Sequence, residues 1–93
     1  MRVRTTVEPL GVSIETVDAA METVAVRKDK TRIALKLARP HEKATQGQLA
    51  VSGIPHGTYR VSTATTSTRI RIDGRLQCGV PLPAEAIVTL IRD

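Results

Sequence analysis

Apolar and polar positions alternate along most of this chain, with the period of two that a half-buried β-strand requires. Residues 1–8 put Val3 and Val7 on one side and Arg2, Arg4 and Glu8 on the other, and Pro9 with Gly11 ends the run. Residues 31–38, TRIALKLA, set Ile33, Leu35 and Leu37 on one face and Arg32 and Lys36 on the opposite one. Lys28-Asp29-Lys30 is a short polar turn, so 22–28 and 31–38 are expected to form a hairpin. Residues 39–48 are mostly polar, with a Pro and a Gly, and read as a loop crossing from one sheet to another. Leu49 and Val51 share a face of a strand over 49–54; Tyr59, Val61 and Thr63 share a face of the next, over 58–65. The tract STATTST at 62–68 continues this alternation and is expected to extend the strand, not to mark a domain boundary.

In 12–28, Ile14, Val17, Met21 and Val24 recur at helical intervals, with Ser13 as a candidate N-cap. Many residues there are β-branched, which favours two strands, 12–17 and 22–28, around a turn at Asp18-Ala19-Ala20. The strands are preferred because their neighbours are strands, and a short helix within 13–25 stands as the alternative. Over 68–80, TRIRIDGRLQCGV, a three-residue loop Asp73-Gly74-Arg75 would pair Ile72 with Leu76 and Ile70 with Cys78. That hairpin has one apolar face, ending in Val80, and one polar face carrying Arg69, Arg71 and Gln77; a bulge is expected in it. Residues 81–84, PLPA, are held extended by their prolines. The last run, 86–92, is apolar on both faces, Val88 and Leu90 on one, Ile87 and Ile91 on the other. Such a strand is buried on both sides or covered by a partner.

Composition narrows what these strands can enclose. The chain has one Tyr and no Phe or Trp, so Val, Ile, Leu, Ala and Met must fill the core. Its 93 residues suit one domain, 1–93, and a chain of this size buries about 60–65% of its unfolded surface. One cysteine, Cys78, excludes an internal disulfide. The N-terminus MRVRTTVEP lacks a signal-peptide apolar run, and no segment approaches the roughly 18 apolar residues of a membrane helix. No membrane partner is expected. The location would be extracellular for a domain of an exported parent and cytoplasmic otherwise.

Short strands with turn signals every 8–12 residues point to an all-β, immunoglobulin-like antiparallel sandwich of seven to eight strands. The segment Val51-Ser52-Gly53-Ile54-Pro55-His56-Gly57-Thr58-Tyr59-Arg60-Val61 resembles the E-to-F connection of fibronectin type III and of transthyretin-like accessory domains. The resemblance covers about 15 of the 93 residues. It implies a tyrosine corner, in which Tyr59 packs its ring inward and returns its hydroxyl to nearby backbone, with Pro55 and Gly57 shaping the turn. The core Trp of fibronectin type III and the immunoglobulin Cys pair are missing, and more chain follows the Tyr than is usual. Fold carries over from such a likeness better than function does.

Chemistry-bearing residues are sparse. His41, His56 and Cys78 are too few and too scattered for a structural zinc site, and His41-Glu42 fails as HExxH because position 45 is Thr45. Both histidines fall in loops, and Cys78 on an apolar strand face. Glu15, Asp18 and Glu22 are near in sequence only as solvated surface acids are. There is no phosphate loop and no nucleophile elbow, so neither an enzyme nor a cofactor is expected. A single Tyr cannot build the stacking platform that sugar and single-strand binders use.

A net charge of +5 leaves a basic face to consider. Arg69, Arg71 and Arg75 would project from one hairpin, with Arg60 beside them, and Arg forks suit phosphate, sulfate and carboxylate. Charged edge protection accounts for the same residues. The leading expectation is a non-catalytic module that packs against another domain or subunit, with self-association through the C-terminal strand as one form. The alternative is an anion-binding module for nucleic acid or acidic polysaccharide. The families it resembles are often accessory domains of extracellular or carbohydrate-active proteins.

Overall fold

The computed structural model of the chain describes residues 2–8, 10–63, 66–82 and 85–93. Among them are nine strands and no helix: β1 (Arg2–Val7), β2 (Val12–Val17), β3 (Ala20–Val26), β4 (Arg32–Ala38), β5 (Gln46–Ser52), β6 (Gly57–Ser62), β7 (Ser67–Ile72), β8 (Arg75–Pro81) and β9 (Glu85–Arg92). They form a β-sandwich of two antiparallel sheets, a four-stranded one in the order β1-β2-β5-β8 and a five-stranded one in the order β3-β4-β9-β6-β7. The interior is aliphatic, as the composition requires. Ile14, Leu49, Val51 and Leu76 from the first sheet meet Ile33, Leu35, Leu37, Val88 and Leu90 from the second in one buried cluster. Tyr59 is the aromatic ring within it.

The expectation of seven to eight strands is corrected to nine, and the helix alternative over 13–25 is not formed. Its helical spacing has two separate causes. Val17 ends β2 on the outward side, facing Gln48 of β5 across from the core. On β3 the register slips between Met21 and Thr23, so Glu22 is the extra residue of a bulge. The bulge lets Met21 and Val24, three residues apart, both pack on the core. A turn at Asp18, with φ of 59°, carries the chain from one sheet to the other. Thr16, a buried polar side chain, holds that turn by donating its hydroxyl to the Ala19 carbonyl at 2.8 Å.

The β3–β4 hairpin forms where the polar turn predicts it, with Val26 opposite Ile33 and Asp29 accepting from the Thr31 amide at 3.0 Å. Residues 39–45 do cross from the five-stranded to the four-stranded sheet, but β5 starts at Gln46, earlier than the polar composition suggests. Gly47 explains the shift: it is buried against Ala19 and Leu82, so the strand begins while its outward residues are still polar.

Two expectations are overturned outright. The tract 62–68 does not extend a strand: β6 stops at Ser62, and β7 returns beside it from Ser67. Thr63 and Thr66 close the turn through Thr63 N–H to Thr66 O at 2.8 Å; Ala64 and Thr65, also part of that expectation, lie outside the described residues. The expected 68–80 hairpin is not a hairpin. β7 and β8 belong to different sheets, joined by the two residues Asp73 and Gly74. Ile72, Leu76 and Val80 are all buried, with Ile70 and Cys78 partly so, as the apolar pattern demands. A chain that switches sheets keeps its inward parity without an odd loop, and parity alone does not separate the two solutions. Of the extended 81–84 stretch, Pro81 ends β8, while Pro83 and Ala84 lie outside the described residues.

Where the β1–β2 and β5–β6 connections meet, Gly53 sits at φ 81°, and a Cβ there would drive into the Gly11 carbonyl. Gly53→Ala therefore combines left-handed backbone strain with a backbone clash. It is expected to cost about 2 kcal/mol or more, lowering the melting temperature by roughly 10 °C. An unchanged melting curve would show that the two turns are not in contact.

Candidate functional site

The outward residues of the five-stranded sheet align in transverse rows. Arg32 stands opposite Ile91, Ile91 opposite Arg60, and Arg60 opposite Arg69. Beside that row runs a small-residue one of Ala34, Thr89, Ser62 and Ser67. Beyond it, Lys36 faces Ile87. At the other end of the sheet, Thr58 faces Arg71, and the Asp93 amide bonds to the Thr58 carbonyl at 2.9 Å. Ile87 is 63% exposed and Ile91 41%, both on the strand at the middle of the sheet. A shallow hollow lined by Ala25, Val26, Arg27, Arg32 and Ala34 extends the aliphatic surface toward β3.

The charges on this face are unequal. Arg69 reaches Asp93 at 3.4 Å and Lys36 reaches Glu22 at 3.6 Å. Arg32, Arg60 and Arg71 have no ion-pair partner among the described residues. Exposed pairs of this kind contribute about 0–1 kcal/mol, so neither adds much to the stability of the fold.

The four arginines expected to act together are divided. Arg60, Arg69 and Arg71 share the outer face of the five-stranded sheet. Arg75 begins β8 on the outer face of the other sheet, lining a hollow with Arg4, Ser13, Glu15, Ala50 and Ser52. The division follows directly from β7 and β8 belonging to different sheets. Arg32 takes the vacated place in the row. Its position on the polar face of β4 was legible, but its nearness to Arg60 depends on β9 standing between their strands.

Tyr59 is fully buried, and its hydroxyl donates to the Pro55 carbonyl oxygen at 2.8 Å, tying β6 to the loop before it. Gly57 has φ of 149°, and a Cβ there would meet Arg92 Nε at 2.7 Å. Burial pushes the Tyr59 phenol above its ordinary value, against the opposing pull of the Arg92 guanidinium. His56 Nδ1 lies 2.8 Å from Asp73 Oδ1, both well exposed, so this link between two loops is a surface contact. His41 is exposed in the β4–β5 connection, where its carbonyl accepts from Ala44 at 3.1 Å. Cys78 is half-buried opposite Leu49, and burial raises its thiol. Glu15 pairs with Arg2 at 3.2 Å on one sheet while Glu22 pairs with Lys36 on the other, so the neighbouring acids do not converge. Among the described residues no group of three or more His, Cys, Asp or Glu is placed to hold a metal ion.

Comparison of the chain with protein-family models, with curated proteins and with solved structures gives no match.

With one Tyr and no Trp, absorbance near 295 nm reports Tyr59 alone. The native phenol is expected to titrate at higher pH than in the urea-unfolded chain, whose value is about 10. The unfolded chain then loses its proton first, so stability is full below that value and falls as pH rises through it. Tyr59→Phe should remove this alkaline loss and, at neutral pH, cost about 1 kcal/mol for the hydrogen bond to Pro55. Coincident native and unfolded titrations would contradict the burial.

Proposed function

We propose that this chain is a non-catalytic β-sandwich module that docks another protein domain or subunit through the outer face of its five-stranded sheet. The observation that carries the reading is the exposure of Ile87 and Ile91 on β9, where Ile91 is flanked by β4 and β6 and Ile87 has its described cross-strand neighbour on the β4 side. Central strands favour β-branched residues, but Thr89, on the same face of the same strand, meets that need with a polar side chain. Two isoleucines there are surplus to what a solvated face needs, and a partner that covers them gives the pattern a cause.

The reading also holds that the sandwich is immunoglobulin-like, an accessory domain of the fibronectin type III or transthyretin-like kind. The Tyr59-to-Pro55 hydrogen bond supports it. The likeness stops at the corner: with β5 and β6 as strands E and F, β3 takes the place of strand C, which the immunoglobulin layout sets beside F, whereas β4 and β9 here stand between β3 and β6.

Polyanion binding is the second reading, favoured by the row Arg32, Arg60 and Arg69 with Arg71 beside it. Ile91 interrupts that row, and Asp93 occupies Arg69.

Ile87→Thr/Ile91→Thr tests docking. Folding stability is expected to stay within about 0.5 kcal/mol per site, while retention on a phenyl matrix falls. A loss of several kcal/mol would mean that the pair is already covered within the chain, and docking would be rejected. Elution from heparin and duplex DNA tests the second reading. If charge acts only generally, Arg60→Ala/Arg69→Ala/Arg71→Ala and Arg2→Ala/Arg4→Ala/Arg75→Ala shift the eluting salt equally. A steep salt dependence lost in the first variant alone would favour polyanion binding.

A further inference from the structure

The arrangement around Ile91 limits what can sit on this face. Its cross-strand neighbours on either side are Arg32 and Arg60, each about 5 Å away across the sheet. A partner that covers Ile91 therefore also covers two guanidiniums that have no ion-pair partner among the described residues. Burying an unpaired charge is strongly unfavourable, so an apolar surface alone would lose on the arginines what it gained on the isoleucine. A second copy of the chain fares worse. Among the described side chains of the face, Arg32, Lys36, Arg60, Arg69 and Arg71 outnumber Glu22 and Asp93, so stacking it on itself sets like charges together. Strand-edge pairing through β9 is closed along its β4 side and, on the other side, over Thr89–Arg92, where β6 occupies the edge.

We infer that the docking face takes an acidic protein surface with an aliphatic centre, whose carboxylates engage Arg32 and Arg60 while its apolar side chains cover Ile91 and Ile87. This rests on the docking reading and adds the partner's chemistry. Arg forks accept carboxylates in the plane of the guanidinium, which gives the contact direction as well as charge.

The probe is the chain itself with its free arginines reversed, Arg32→Glu/Arg60→Glu/Arg71→Glu, which keeps both isoleucines within an acidic rim. Circular dichroism checks that it folds, and Arg32→Glu/Arg60→Glu serves if it does not. In sedimentation velocity at about 50 mM salt, wild type alone and the reversed chain alone are expected to run as monomers, and their mixture as a dimer. The mixture should separate in about 1 M salt, where the screening length falls to roughly 3 Å. It should also separate when Ile87→Thr/Ile91→Thr is present in both chains.

Each failure has its own meaning. A mixture that stays monomeric overturns the inference. Wild type that dimerises by itself, and stops with Ile87→Thr/Ile91→Thr, also overturns it but keeps docking, with a second copy as occupant. A mixed dimer indifferent to the isoleucines overturns the inference and docking together, in favour of charge alone.

Discussion

Each time the chain leaves one sheet for the other, the inward parity of its strands has to survive the passage, because aliphatic side chains are nearly all the interior contains. A slip of one residue would turn a whole strand's aliphatic set to solvent. Two of the links that switch sheets are accordingly only two residues long. Asp18 takes a left-handed φ and Thr16 fastens the Ala19 carbonyl behind it. Asp73-Gly74 passes from β7 to β8 with Ile72 and Leu76 both inward. Inside β3, the bulge at Glu22 restores Val24 to the core after Met21.

Tyr59 belongs to the same constraint. The link from β5 to β6 is longer, and a buried ring with its hydroxyl on Pro55 supplies what two residues supply elsewhere: a fixed entry point for the next strand. Gly53 at one end of that link touches the β1–β2 turn, and Gly57 at the other makes room for Arg92. The corner thus locates β6 relative to both sheets. Its chemistry is spent on that task, with the hydroxyl committed to a backbone carbonyl and the phenol's ionisation pushed to higher pH by burial.

What could be read from the chain was local, and what could not was the pairing of distant strands. Ile33, Leu35, Leu37, Ile72 and Leu76 were legible as inward because alternation is written in consecutive residues. The β3–β4 hairpin was legible because Asp29 and its neighbours form a turn within five residues. Whether β7 pairs with β8 or leaves it for the other sheet was not, since both outcomes bury the same side chains. The grouping of Arg60, Arg69 and Arg71 without Arg75 followed that choice. Ile87 and Ile91 were legible as an anomaly, while the company they keep, Arg32 and Arg60, required the position of β9.

That position joins stability to the proposed function. Without β9 the five-stranded sheet would be two separate hairpins, β3–β4 and β6–β7, because β4 and β6 meet only through it. Strand β9 closes the sheet, so much of the pairing is non-local, the kind of topology in which loop-closure entropy slows folding. Its inner residues Ala86, Val88 and Leu90 are buried as that closure demands. Closure asks only for β propensity on the outer side, which Thr89 supplies and which threonine at 87 and 91 would supply equally. Aliphatic side chains at those two positions add hazard during slow folding, when exposed apolar strands associate wrongly. An exposed pair that carries this cost and adds little to the closed sandwich is best explained by a contact made after folding. On the proposed docking, the arginines on either side of Ile91 would do two things at once: keep identical faces apart and select a partner of opposite charge.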